Sequence, residues 1–353
     1  MTLLRVLDGG LFTTVQDLGR FGFQRYGVPV SGAMDRAACL AANALAGNPP
    51  DAAVLEMTMV GPRLQFTAPA TIAIAGADLG PHLDDEPAPA WRTLKVTGGQ
   101  TLWFSGPEDG ARACLAVLGG IDVPAVLGSR STYVRSRLGG LYGRRLEDGD
   151  ELPIGERLAA TPSPIRDVPR HERPAYGHDH AIRVVRGPQD DRFTPEGLST
   201  FLSSTYVVTG SADRMGYRLQ GPAIAHAGGA DIVSDGSPLG GVQVAGDGQP
   251  IVLMADRGTA GGYTKIATVI TVDTWRLAQA APGDTVRFRE VTLTEAQAAL
   301  RARTAWLARI PAMAPLVERR VDPARASSDQ RTKAAAAAAA ALARYLRSSR
   351  EGS

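Results

Sequence analysis

Lys265 is the side chain whose type and surroundings in this 353-residue sequence most suggest chemistry. It closes the run Gly258-Thr259-Ala260-Gly261-Gly262-Tyr263-Thr264-Lys265. Glycines in such a run are expected to form a loop that takes positive φ and aims backbone N–H groups at an anion. An ammonium directly after that loop suits a carboxylate or phosphoryl oxygen, as a compact point charge rather than a fork. Composition sharpens the point: of 38 basic residues only Lys95, Lys265 and Lys333 are lysines, and the rest are Arg. Where Arg is the default cation, a Lys inside a motif marks a constraint. Lys333 lies in an Ala-rich tail and Lys95 beside a hairpin turn. The block Gln243–Thr268 also carries Gln243, Asp247, Gln249 and Asp256, with the two Asp at opposite ends of the apolar run Ile251–Met254. Two more segments concentrate polar groups: Gln16, Asp17 and Arg20, continuing through Gly27–Asp35, and Asp213, Arg214 and Arg218 within Ser211–Pro222. Each has a plain alternative. Asp213-Arg214 reads as a turn ion pair, Asp17 as a turn cap with Arg20 solvated, and Lys265 as the surface residue of a hairpin.

The elements that must position these groups are mostly strands. Short β-branched runs bounded by Gly, Pro or Asp occur at Leu3–Leu7, Leu64–Phe66, Thr71–Ala75, Thr93–Val96, Thr101–Phe104 and Ala113–Leu118. The second half adds Ile182–Val185, Thr205–Val208, Gly241–Val244, Ile251–Met254, Ile266–Val272 and Thr285–Phe288. The pattern predicts a mainly β fold of sandwich or barrel type. Helices are expected at Met34–Ala46, starting near Ser31 or Ala33 and stopped by Gly47, and from Pro195 to about Leu202 behind a Thr194 cap. A third should cover Ala298–Ala308 behind a capping box at Thr294–Gln297. A turn phrase that places Gly before a polar residue and a strand recurs at Gly99, Gly149 and Gly283, a weak sign of two related lobes.

The predicted domains are an N-terminal β lobe over 1–160, a Pro-rich surface linker over 161–180, a C-terminal β lobe over 181–311 ending in a helix, and a basic Ala-rich tail over 312–353. The tail holds eight Lys/Arg against four Asp/Glu, so the overall +2 hides a body that sums to −2. That excludes a nucleic-acid partner by bulk charge. No apolar run of ~18 residues predicts a membrane span. Two Cys, Cys39 and Cys114, make neither a disulfide framework nor a zinc site, and a cytoplasmic protein is expected. His178-Asp179-His180 falls in the linker without an evident carboxylate partner, so no metal is predicted. P-loop, dinucleotide-binding, nucleophile-elbow and zinc-protease motifs are absent, and neither Lys95 nor Lys265 follows the Met of a biotinylation site.

Four stretches, TVQDLGRFGFQRYGVPVSGAMD, Gly128–Arg135, SADRMGYRLQGP and QVAGDGQPIVLMADRGTAGGYTKIATVI, together resemble the allophanate hydrolase subunit 2 family, also called the biotin-dependent carboxyltransferase family. The resemblance runs in order over about residues 3–290 and leaves the tail outside. The family pattern has Gln, Thr and Pro where this chain has Gly258, Ala260 and Thr264, while Gly261, Gly262, Tyr263 and Lys265 match. It implies a two-lobed cyclophilin-like β-barrel architecture and an obligate partner, a B component resembling allophanate hydrolase subunit 1, with a further A component in the 5-oxoprolinases. It also implies ATP-dependent hydrolysis of 5-oxo-L-proline to L-glutamate; with no phosphate-binding motif in this chain, ATP is expected to be bound mainly by a partner. Other members imply carboxyl transfer from biotin to urea, or regulation of a sensor kinase. On the first of these readings Lys265 and loop amides face the lactam oxygen. Asp213 or Asp247 moves protons, provided burial raises its pKa. Arg20, Arg214 or Arg218 holds the substrate carboxylate, and Asp17, Gln243, Gln249, Gly261, Gly262 and Tyr263 complete the binding set.

Overall fold

The structure is a computed structural model and describes residues 3–156 and 164–313. In chain order the first part contains β1 (Leu3–Asp8), β2 (Phe12–Gln16), α1 (Arg36–Ala46), β3 (Val54–Thr58), β4 (Arg63–Phe66), β5 (Ala70–Asp78), β6 (Pro81–Leu83), β7 (Glu86–Pro87), β8 (Thr93–Val96), β9 (Thr101–Phe104), β10 (Asp109–Val117) and β11 (Glu151–Pro153). The second contains β12 (Asp179–Arg186), α2 (Pro195–Ser203), β13 (Thr205–Val208), β14 (Gly216–Gln220), β15 (Asp231–Gly236), β16 (Gly241–Val244), β17 (Pro250–Leu253), β18 (Ala260–Val269), α3 (Thr274–Gln279), β19 (Thr285–Glu290) and α4 (Leu293–Arg309). The fold is mainly β, as the strand pattern predicts.

Two units divide the chain, and the division is not a single cut. Among the described residues, one takes those up to Gly19, those between Asp35 and Ala175 and those from Trp306 to Met313; the other takes Arg20–Met34 and Tyr176–Ala305. Segment 20–34 joins the second unit through hydrogen bonds, Ser31 N–H to the Ala255 carbonyl at 3.1 Å and Arg214 to the Gly32 carbonyl at 2.7 Å.

In the first unit, sheet β11-β1-β4-β9-β6-β7 and sheet β2-β3-β10-β5-β8 contribute side chains to one core. Alternation sorts the residues of the second sheet. Ile72, Ile74, Ala113, Leu115 and Val117 join that core, while Ala73, Ala75, Cys114 and Ala116 are also buried but outside it. α1 packs on β5 and β10 with its own small residues, Ala38, Cys39, Ala41 and Ala42. Small side chains let the helix backbone come close. Gly76, at φ +105°, has no room for a Cβ, which would sit 2.6 Å from the Arg112 carbonyl and 3.2 Å from the Ala38 methyl. Asp35 caps α1 by accepting from the Ala38 N–H, so the start is two residues later than the sequence suggests, and Gly47 ends it in the left-handed region. Cys39 and Cys114 are free buried thiols; the hydrogen bond between them and their burial push the Cys114 thiol well above its usual range.

In the second unit, the order β12-β19-β13-β14-β17-β16-β18-β15, with an added pairing of β12 to β18, closes the first seven strands into a barrel and leaves β15 at an edge. The core holds Ile182, Val184, Val242, Val244, Val252 and Ile266. Thr194 caps α2 as predicted. The capping box of α4 is Thr292 with Glu295, two residues earlier than predicted, because Glu295 accepts from the Thr292 N–H and donates its own N–H to the Thr292 hydroxyl. Gly99, Gly149 and Gly283 all have positive φ, which accounts for the recurring turn phrase.

The segment read as a solvated linker is partly packed. Val168 is buried, Asp167 pairs with Arg173, and Arg166 exchanges hydrogen bonds with Thr93. His178 and His180 do have a carboxylate: a ring nitrogen of each contacts Asp284, and His180 is buried in β12. Among the described residues no grouping of His, Cys, Asp and Glu could hold a metal, and no helix is long and apolar enough to cross a membrane. The predicted tail lies outside the described residues apart from its first two positions.

Candidate functional site

β16 and β18 place the two polar residues at the centre of the site. Gln243 and Lys265 are register partners across these strands. Val242, Val244 and Ile266, their neighbours along each strand, belong to the barrel core. With side chains alternating across a strand, Gln243 therefore lies on the outer face of the barrel, and Lys265 stands opposite it beside an irregularity in the β16–β18 register. Both are buried all the same, Lys265 at 1% exposure.

The predicted glycine loop is a strand. Gly261 and Gly262 lie inside β18, paired with β15, and neither they nor Gly258 has positive φ. No nest of N–H groups faces an anion there. The glycine at 261 serves packing: a Cβ would meet Gln243 Nε2 at 2.7 Å and Ser237 Oγ at 3.3 Å. Tyr263, in the same stretch, is exposed.

Lys265 Nζ makes no aligned hydrogen bond, and its charge is met by Asp235 Oδ2 at 3.1 Å. Asp235 stands on β15 and is 54% exposed. The Lys265 ammonium, followed by the Gly236 N–H, holds the Asp235 carboxyl below its usual range. Gln189 accepts from the Lys265 backbone N–H at 3.1 Å, so this cluster draws on the loop after β12 as well. Gly187 fits only as glycine, since a Cβ would lie 2.1 Å from the Lys265 carbonyl. Sequence reasoning misses Asp235, Gln189 and Ser237. The run Asp231–Gly236 has no strand-like periodicity, and the available signal was indirect: a buried Lys needs a carboxylate.

The other candidates fall elsewhere. Arg214 is buried against Asp256 in a bidentate pair, 2.9 and 3.0 Å, and also donates to the Gly32 carbonyl. It is a structural tie, not a free fork for substrate. Asp213 is exposed and accepts from the N–H groups of Met215 and Gly216 in a turn; Asp247 is exposed and accepts from the Gln249 N–H. Neither has the burial that a base near neutrality requires. Gln249 is engaged with both backbone groups of Gly221. Arg218, Asp247 and Gln249 do meet, in an open groove of about 880 Å³ with Val207 and Pro250. Arg20 is buried at 1% rather than solvated. Asp17, in the first unit, accepts from the hydroxyls of Ser129 and Ser131 and from the N–H groups of Gly19 and Arg130, so its carboxylate is fully used in fastening that loop. The structure thus brings Lys265, Gln243 and Gly261 together, with Asp235 added, while Arg214, Asp213 and Gln249 are engaged with other partners.

Comparison with known proteins extends this geometry. Residues 26–290 match the family described as carboxyltransferase domain, subdomain A and B. The chain is 39% identical over 297 residues to the 5-oxoprolinase C subunit of Escherichia coli K12, covering 83% of this chain and 93% of that one. It is 35% identical over 314 residues to the 5-oxoprolinase C subunit of Haemophilus influenzae, covering 87% and 97%. The crystal structure of K. lactis urea amidolyase aligns with a TM-score of 0.82 at 30% identity, over 91% of this chain and 21% of that one.

Proposed function

This chain belongs to the family of carboxyltransferase domains of subdomain A and B, and from that premise we propose that it is the C component of an ATP-dependent 5-oxoprolinase. The observation that carries the reading is 39% identity to a protein of that name across 93% of its length. The urea amidolyase likeness is equally clear in fold, but the chain spans only 21% of that protein. A carboxyltransferase role is therefore the second reading.

In the proposed reaction 5-oxo-L-proline takes up one water. The ring C–N bond breaks, the water oxygen joins the carbonyl carbon, and the nitrogen leaves as the amine of glutamate. Negative charge builds on the carbonyl oxygen as the water adds and is withdrawn as the ring C–N bond breaks. Lys265 is the group of this chain placed to meet it: buried, so that its charge acts in a medium of low dielectric, and already set against an oxygen at 3.1 Å. Gln243, buried and opposite Lys265 in the strand register, is assigned as a second, neutral donor. No cradle for a polyphosphate surrounds Lys265, since the glycines there are strand residues, so ATP is assigned to a partner protein and no step here runs through it. The acid and base are assigned to a partner too, because Asp213 and Asp247 are solvated.

A tagged form of this chain, expressed with its genomic neighbours, should co-purify with the B and A components in fixed ratio. Recovery of the chain alone, or with a biotin carrier and biotin carboxylase, would count against the assignment.

A further inference from the structure

The barrel unit contains two kinds of buried ion pair. At Arg214–Asp256 both side chains are buried, 8% and 7% exposed, and two aligned hydrogen bonds join them. That is how a fold holds charge for good, because neither partner can leave without stranding the other. At Lys265–Asp235 the arrangement is one-sided. The cation is 1% exposed and fixed in the middle of β18, while the anion is 54% exposed on an edge strand. Among the described residues β15 pairs only with β18, through a shifted register between Asp231 and Asp235, and Val233 beside it stands 93% exposed. A buried ammonium is costly without an anion; this one is neutralised by a half-exposed carboxylate that is otherwise held by the neighbouring Gly236 N–H, 2.7 Å from Oδ1, and by Gln189.

We infer that the Lys265 ammonium is an exchangeable carboxylate site, with Asp235 as its resident occupant and a ligand carboxylate as its replacement. The contact is one oxygen on one ammonium, so the site selects a point of negative charge and not a planar fork. Naming the ligand group rests on the reading above: ring opening turns the lactam carbonyl into a carboxylate, and that new carboxylate of glutamate lies against Lys265. Asp235 carries the same group on a side chain of this chain. It competes with product for the ammonium and so hastens product release.

With three lysines in the chain, amine labelling by an N-hydroxysuccinimidyl ester, read peptide by peptide in a mass spectrometer on the full-length protein, reports on the site directly. In the wild type Lys265 should label more slowly than the exposed Lys95 by at least about tenfold. Asp235→Ala should raise the Lys265 rate by about tenfold with Lys95 unchanged, and Asp235→Asn should do so as well while keeping the side-chain shape. Excess sodium acetate should then slow Lys265 in both variants. An unchanged Lys265 rate in both variants, or no protection by acetate, overturns the inference and leaves a fixed structural pair. L-glutamate in place of acetate, with protection read as the Lys265 rate relative to Lys95 because the glutamate amine also consumes the ester, separates this from the assigned activity. Protection by acetate without protection by glutamate upholds the exchangeable site and contradicts the 5-oxoprolinase reading. Thermal unfolding followed in parallel shows which of the two variants keeps the wild-type midpoint, and the Lys265 rate in that variant decides.

Discussion

Replacing Lys265 by Met in the assembled complex is expected to lower turnover of 5-oxo-L-proline by about 10²–10³-fold, the scale of losing a charge that stabilises a developing oxyanion in a water-poor site. The same change should leave the chain folded. Met keeps most of the length of the buried aliphatic stem, and the carboxylate left behind, Asp235, is half in water already. Stability and activity therefore part company: the melting temperature holds or rises while the rate falls. An activity within threefold of the wild type would remove Lys265 from the chemistry. A melting temperature lowered along with the rate would mean that the pair with Asp235 supports the fold and does not serve a ligand.

The opposite pattern is expected at Asp256. Its removal by Asp256→Ala strands the Arg214 guanidinium inside the barrel unit, and breaking a buried, hydrogen-bonded ion pair in this way costs about 3–5 kcal/mol. Arg214 also donates to the Gly32 carbonyl, so segment 20–34 is held in part by the residue that loses its partner. Urea unfolding should show the loss as a lower midpoint. The double replacement Arg214→Met with Asp256→Leu should recover much of it, since no charge is then left unpaired. A loss below about 1 kcal/mol for Asp256→Ala would mean that water reaches the guanidinium.

Much of the architecture was legible in the sequence. Strands such as Thr93–Val96, Thr101–Phe104, Thr205–Val208 and Gly241–Val244 occur over the predicted residues, because each is a short β-branched run between turn residues. β2 was hidden for a physical reason. Phe12–Gln16 is rich in Thr and Gln, which suggests a functional loop, yet Thr13, Thr14 and Gln16 are fully buried in a strand paired along its length with β3, and Gln16 is satisfied in part by Thr14 and the Thr132 carbonyl. The site was half legible. The scarcity of Lys singles out Lys265, and its register partner Gln243 comes from the same block. Glycines gave the wrong local geometry. A Gly run marks either positive φ or close approach, and at Gly261 it is close approach to Gln243 that decides. Asp213 and Asp247 qualify as proton carriers only if buried, and turn chemistry claims both at the surface, a use of Asp that spacing does not distinguish from catalysis. Asp235 is set against Lys265 only by the pairing of β15 with β18, a tertiary fact with no local trace.

Glutamate formation from 5-oxo-L-proline and ATP by the purified partner proteins, measured with and without this chain, tests the assignment most directly. Turnover should require the chain and should stay lost when the Lys265→Met form is supplied in its place. Equal glutamate formation without the chain, or restoration by the Lys265→Met form, would contradict it.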